Sequence, residues 1–300
     1  MGAEKRDHFL ELNGVKTHVI TWGDPFDCNG KDVILCITGN PGLPDFYTEF
    51  GSQLHRDTEL CVCILGQAGH EEVADIHNCE TKPNTHLFSL KGQIQHKLDF
   101  LDKIDKNSKL HIIAHSIGAW ETVEMLNNKQ EYVGRVSSIN LLFPTLQKMA
   151  DCENGKFLNG ITRRFHFLII FLVHLVYLLP QILQNFLINH YLKYNSLPLE
   201  YQPRIKKFLK PQVVDKVLFL AYDEMDNVKK LNINGLDKIK HLTNVIYSSR
   251  DGWVPLSYME DLKMFMPQIT LKEVDINHSF VLKSSVRVAK MVTDFIKLKL

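Results

Sequence analysis

Leu110-His111-Ile112-Ile113-Ala114-His115-Ser116-Ile117-Gly118-Ala119-Trp120, residues 110–120, is the stretch whose reading decides the fold. Leu110 to Ala114 is a short, largely apolar run of the kind that forms a strand buried on both faces. A serine follows two residues later, with Ala114 and Gly118 two places to either side, and a helix is expected from about Ala119 to Leu126. Strand, sharp turn with serine at its tip, then helix is the setting of a nucleophile elbow. The turn is so tight that residues two positions away must be small to clear the adjoining helix and strand. Gly118 meets that demand, and Ala114 stands where such motifs usually carry glycine. A small-x-Ser-x-Gly run alone also describes ordinary turns; the strand before it gives it weight.

The flanking sequence repeats the same alternation. Phe9 to Leu12, Asn13-Gly14 and Val15 to Trp22 read as a hairpin, because Asn-Gly tolerates the positive φ of a two-residue turn. Val33 to Thr38, Leu60 to Leu65 and Val136 to Leu142 read as further strands, as do Asn244 to Tyr247 and Thr270 to Val274 near the end. Helices are expected around Phe46 to His55, through Leu90, Ile94, Leu98, Leu101 and Ile104 at spacings of three and four, and over Val281 to Leu298. Strands alternating with helices predict an α/β fold with a mostly parallel sheet covered on both faces. The chain reads as one domain over 1–300, with a helical insertion at 144–237.

A serine at its own pKa is a weak nucleophile and needs a base and an orienting acid. In this chain order, Asp251 follows the Asn244 to Tyr247 strand and His278 follows the Thr270 to Val274 strand. Both fall past the carboxyl ends of strands, where open α/β sheets bind ligands. Ser116, Asp251 and His278 are therefore the candidate catalytic residues. Alone, Asp251 would read as a turn residue and His278 as a loop histidine; Asp223, Asp226 and Asp275 are rival acids. For the oxyanion, the candidates are the backbone N–H groups of Ile117 and of Asn40, in the Gly39-Asn40-Pro41-Gly42 turn. Pro41 has no N–H to offer. An aspartate, not a serine, would be wanted at position 116 for epoxide or haloalkane hydrolysis.

Composition narrows the field. Of 300 residues 45% are hydrophobic and 23% charged, enough for a sizeable core. Thirty-five basic and 34 acidic residues give a net charge of +1, which offers no electrostatic footprint for nucleic acid. Six cysteines, at 28, 36, 61, 63, 79 and 152, lack zinc-type spacing and read as buried thiols of a reducing compartment. His70 and His96 have no partners at ligand spacing, so no metal or other cofactor is expected and structural roles are assigned to them. Met1 to Asn13 is charged and lacks the apolar core of a signal peptide, which predicts exposure to the cytosol.

Together, ITGNPGLPDFY, QAGH, LKGQIQHKLDFL, AHSIGAW, LLFPTLQKMADCENGK, SSRDGWVP and INHSF resemble the lipid droplet-associated hydrolase family, in order and across nearly the whole chain. The family usually has glycine at the position of Ala114. The resemblance implies an α/β-hydrolase fold with Ser116 as nucleophile, Asp251 as acid and His278 as base. It also implies a lipid-ester substrate, with sterol esters the class in view, at the lipid droplet or endoplasmic reticulum surface on its cytosolic face.

Within the insertion, Phe165 to Leu179 is apolar except for His166 and His174, and Pro180 ends it. About 20 apolar residues are needed to span a bilayer, so this run is too short. Ile182, Leu183, Phe186 and Leu187 continue the apolar character, with Arg163 and Arg164 before it and Lys193 after. That pattern suits a hairpin entering one leaflet or a droplet monolayer, with Phe165, Leu168, Phe171, Leu172, Leu175 and Leu179 as its contacts. A buried cap helix over the active site is the alternative. Two functions of different kind follow: a serine hydrolase of lipid esters, or a weakly active or non-catalytic droplet tether that influences lipid storage. Protein partners are unknown.

Overall fold

Val33–Ile37 alternates its side chains between two cores, and the whole architecture follows from that pleat. In the computed structural model, which describes residues 3–71 and 85–300, Val33, Leu35 and Ile37 enter one core while Ile34 and Cys36 enter the other. Cys79 lies outside the described residues. The strands are β1 (Lys5–Leu12), β2 (Val15–Trp22), β3 (Val33–Ile37), β4 (Cys61–Leu65), β5 (Leu110–His115), β6 (Val136–Leu142), β7 (Thr243–Tyr247) and β8 (Thr270–Glu273). They form one sheet in the order β1-β2-β4-β3-β5-β6-β7-β8. β1–β2 and β2–β4 pair antiparallel and every other neighbouring pair is parallel. This is the α/β-hydrolase arrangement.

The helices of the main body are α1 (Thr48–Thr58), α2 (Leu90–Leu101) and α3 (Ile117–Asn128). Between β6 and β7 come α4 (Glu153–Phe157), α5 (His166–Leu178), α6 (Gln181–Tyr194), α7 (Gln202–Phe208), α8 (Pro211–Asn227) and α9 (Ile233–Ile239), and the chain ends with α10 (Leu256–Glu260) and α11 (Ser285–Lys297). Phe50 and Leu54 of α1 and Val288, Val292 and Ile296 of α11 fill the core on one face of the sheet. Phe100 and Leu101 of α2 and Val123 and Leu126 of α3 fill the other. Leu236 and Ile239 of α9 join that second core, so this helix packs with the body although it begins within the 144–237 stretch.

Element boundaries differ from the sequence expectation where the local pattern is weak. β1 begins at Lys5, not Phe9, because its charged first residues are an exposed sheet edge, where they discourage strand addition. The final helix begins at Ser285; Phe280–Leu282 is a separate 3-10 turn after His278. The hairpin turn is as expected, with Asn13 at φ 49° and Gly14 at φ 69°.

α5 has no buried residue. Phe165, Leu168, Phe171, Leu172 and Leu175 are each about half exposed, and Leu179, at the bend before α6, is half-buried. The apolar surface extends beyond those positions to Phe167 (87% exposed), Leu178 (76%), Ile182 (86%) and Phe186 (64%). Among the described residues no single helix is long and apolar enough to cross a membrane; the α4 segment and α5 meet at 84°.

Candidate active site

The elbow is visible in the backbone. Ser116 sits at φ 55°, ψ −122°, a conformation that costs a non-glycine residue about 1–3 kcal/mol. Three main-chain bonds hold it there: Ser116 N–H donates to Leu142 O (3.0 Å), and Ser116 O accepts from Ala119 and Thr145. Gly118 is required by space: a Cβ there would lie 2.7 Å from Thr38 O and 2.9 Å from Ile37 O. Ala114 is fully buried in β5 between Ile37 and Leu141, where its methyl joins the core. A Cβ on Gly39 would stand 2.9 Å from Cβ of Ser116, so the loop after β3 passes directly against the elbow.

The loops after β7 and β8 bring Asp251 and His278 to the same place. Asp251 Oδ2 lies 2.6 Å from Nδ1 of His278, and Nε2 of that ring lies 2.9 Å from Ser116 Oγ. A carboxylate only accepts, so Nδ1 carries the proton and Nε2 is left to receive the serine hydroxyl's. Asp251 Oδ1 accepts from the N–H of Trp253 (2.8 Å) and Val254 (3.3 Å), which fixes the carboxylate plane. The rival acids are engaged elsewhere. Asp223 accepts from Leu90 N–H at the start of α2, Asp226 is bonded by Arg163, and Asp275 faces Arg250 at the surface. A serine hydroxyl in this arrangement can attack a carbonyl while the imidazole takes its proton. Among the described residues no protein acceptor takes the N–H of Asn40 or of Ile117.

Two buried networks hold the site, and neither could be read from spacing. In the first, Gly39 N–H donates to Tyr47 Oη (2.9 Å), Tyr47 O–H donates to His115 Nδ1 (2.6 Å), and His115 Nε2–H donates to the His278 carbonyl (3.0 Å). Burial, with the nearby His278, holds the His115 pKa well below its usual value, so the ring is neutral and its tautomer is set by these partners. In the second, Asn40 Nδ2 donates to the Val217 carbonyl and to Glu224 Oε1 (2.8 Å), both on α8. Burial, reinforced by the charges of Glu121 and Asp223, pushes the Glu224 carboxyl up to about 8 against the hydrogen bond from Asn40. Beneath it, Lys97 donates to Gln67 and Gln93, and Gln67 donates to Thr38 O and Glu121. His70 accepts from Gly42 N–H (3.0 Å) and His96 bonds Thr17 (2.7 Å), so each is tied into the body. His18, Asp45 and Glu71 bring donor atoms close enough for a metal, but Lys207 Nζ already lies 2.6 Å from Asp45 and 2.9 Å from Glu71.

A cavity of about 670 Å³ adjoins His278, within the range of small-ligand sites. It is bounded by Asn40, His115 and His278 at one side and by residues of α5, α6 and α7 at another. The sequence matches the family model described as lipid-droplet associated hydrolase over residues 30–281. It is 34% identical to a lipid droplet-associated hydrolase of Drosophila melanogaster, over 97% of this chain and 98% of that protein. It is 30% identical to one of Rattus norvegicus, over 100% and 97%. Among solved structures, the thioesterase domain from the curacin biosynthetic pathway superposes with a TM-score of 0.66 at 13% identity, over 96% of this chain and 99% of that one; this likeness concerns fold alone.

Replacing Tyr47 by Phe leaves Gly39 N–H and His115 Nδ1 buried without partners, and should lower unfolding free energy by about 1–3 kcal/mol. Urea melts read this directly, and a change within experimental error would remove the network from the account. Glu224 gives a pH signature. Its folded value is raised, so its contribution is complete below about 4.5 and is lost as pH rises through about 8. Wild-type stability should therefore fall over that window relative to Glu224→Gln, by up to several kcal/mol. A difference between the two proteins that stays constant with pH would refute the assignment.

Proposed function

The chain belongs to the lipid-droplet associated hydrolase family, and from that premise we propose that it is a serine hydrolase of lipid esters acting at a lipid surface. The observation that carries the reading is the run of hydrogen bonds from Asp251 through His278 to Ser116 at the end of the sheet. In the proposed reaction Ser116 Oγ attacks the ester carbonyl as His278 takes its proton. The N–H groups of Ile117 and Asn40 receive the developing oxyanion, and each such donor is worth a few kcal/mol of barrier, roughly 3 to 4 where one has been removed. Asp251 keeps the imidazole in the tautomer that accepts from serine and stabilises it when charged.

Residues 144–237 would act as a cap on this single domain, with α5 and α6 as its lipid-facing side. Exposed apolar side chains along both helices support contact with a droplet monolayer or the cytosolic leaflet of the endoplasmic reticulum. Their exposure favours a surface-binding role over a buried cap helix. The same surface would serve a non-catalytic tether, so the two functions separate only through the serine. A sterol ester is one member of the substrate class.

A fluorophosphonate probe should label the wild type, and labelling should disappear in both Ser116→Ala and His278→Ala. Ser116→Ala should keep its droplet association, whereas the pair Phe171→Asp and Ile182→Asp should lose most of it, because a carboxylate must then enter an apolar phase. If the folded wild type in the presence of lipid takes up no probe, the triad reading fails and a tether remains. If the two aspartate variants still bind artificial droplets as the wild type does, the lipid-facing role of α5 and α6 fails.

A further inference from the structure

The cavity beside His278 is chemically one-sided. Asn40, His115 and His278 supply its polar end, next to Ser116. The rest is walled mainly by apolar side chains, among them Val176 of α5, Leu187 and Ile188 of α6, and Ile205, Phe208 and Leu209 in and after α7, with Tyr191 of α6 also lining it. Among the described residues no Asp, Glu, Lys or Arg side chain lines it. A phosphate or carboxylate among these apolar walls would lose hydration with no counter-charge beside it, at a cost in free energy. An uncharged hydrocarbon meets no such penalty.

Size restricts the occupant further. At about 670 Å³ the cavity offers room for one long acyl chain. It is partly open, so the bulkier alcohol portion of an ester can remain outside it. Orientation comes from the walls: Val176, Leu187 and Ile188 face inward on the two helices whose Phe167, Leu178, Ile182 and Phe186 are exposed. Apolar outer surface and cavity wall are thus opposite sides of one layer of helix.

We infer that the cavity is an acyl-chain pocket, which draws one long-chain acyl group of an uncharged ester from the lipid phase and leaves the alcohol portion outside. The inference rests on the serine hydrolase reading and specifies its substrate. Attack by Ser116 Oγ forms the acyl–oxygen bond to the enzyme, and the alcohol departs with the proton that His278 took from serine. The acyl chain stays in the pocket until water, deprotonated by His278, attacks the acyl carbonyl. Fatty acid leaves, and Ser116 recovers its proton from the imidazole. Every bond and proton is accounted for without a further reactant.

The test compares p-nitrophenyl acetate, octanoate and palmitate, dispersed in neutral detergent, on wild type and on Leu209→Trp and Ile205→Trp. Both sites are half-buried, so each tolerates the larger ring better than a core position would. Each fully buried methylene is worth roughly fourfold, so wild-type kcat/KM should rise at least about a hundredfold from acetate to palmitate. The indole should lower the palmitate-to-acetate ratio of kcat/KM about tenfold or more relative to wild type. Labelling by a small fluorophosphonate at the wild-type rate certifies that each variant is folded with its serine intact. The pocket is overturned if labelled variants keep the wild-type preference for palmitate, or lose acetate and palmitate in parallel. A wild type that neither labels nor hydrolyses any ester overturns the hydrolase reading instead, and the pocket with it.

Discussion

Ser116 must hold a left-handed backbone conformation, and much of the surrounding structure exists to permit it. The strain, about 1–3 kcal/mol, is sustained because both flanks are fixed: β5 lies between β3 and β6 in a parallel sheet, and α3 begins at the next residue. The same tightness dictates what can lie nearby. Gly118 has no room for a methyl against the backbone of Ile37 and Thr38, and Gly39 has none against Ser116 itself. The proposed nucleophile and the loop proposed to hold the oxyanion are therefore set at a distance fixed by van der Waals contact.

Around that constraint buried polar groups are joined into hydrogen-bonded networks. Tyr47 and His115 join the loop after β3 to the loop that carries His278, through three hydrogen bonds whose donors and acceptors all find partners. Such a fully satisfied network is worth more in a low-dielectric interior than at the surface, and it rigidifies what it connects. The Asn40–Glu224 bond does the equivalent work for α8, tying it to the same loop. A neutral carboxylic acid suits that position, since a charged one would be buried opposite a neutral amide.

The insertion inverts the usual relation between apolar sequence and burial. α5 and α6 are rich in Phe, Leu and Ile, yet α5 has no buried residue and α6 buries only Ile188 and Leu192. Water would disfavour so much continuous apolar surface, which is why a lipid phase is the proposed environment. Residues on their inner sides, among them Leu187 and Ile188, also bound the cavity, so one pair of helices can serve both adhesion and substrate binding.

The residues with local signatures were legible in the chain. Apolar runs bounded by breakers gave the strands, the Asn13-Gly14 turn gave the hairpin, and Ser116, Asp251 and His278 stood in order at strand ends. What escaped were partners far apart in sequence: Tyr47 with His115, Asn40 with Glu224, and the placement of Leu236 and Ile239 in the main core. The same is true of Ala114, which by pattern departs from glycine and in the fold simply packs. By itself the sequence determined the strands, their alternation with helices and the residue types present at the elbow, because periodicity and turn stereochemistry act over a few residues. Only tertiary structure decided which buried donors meet which acceptors and whether an apolar helix faces inward or outward, because those choices depend on what the rest of the chain brings alongside.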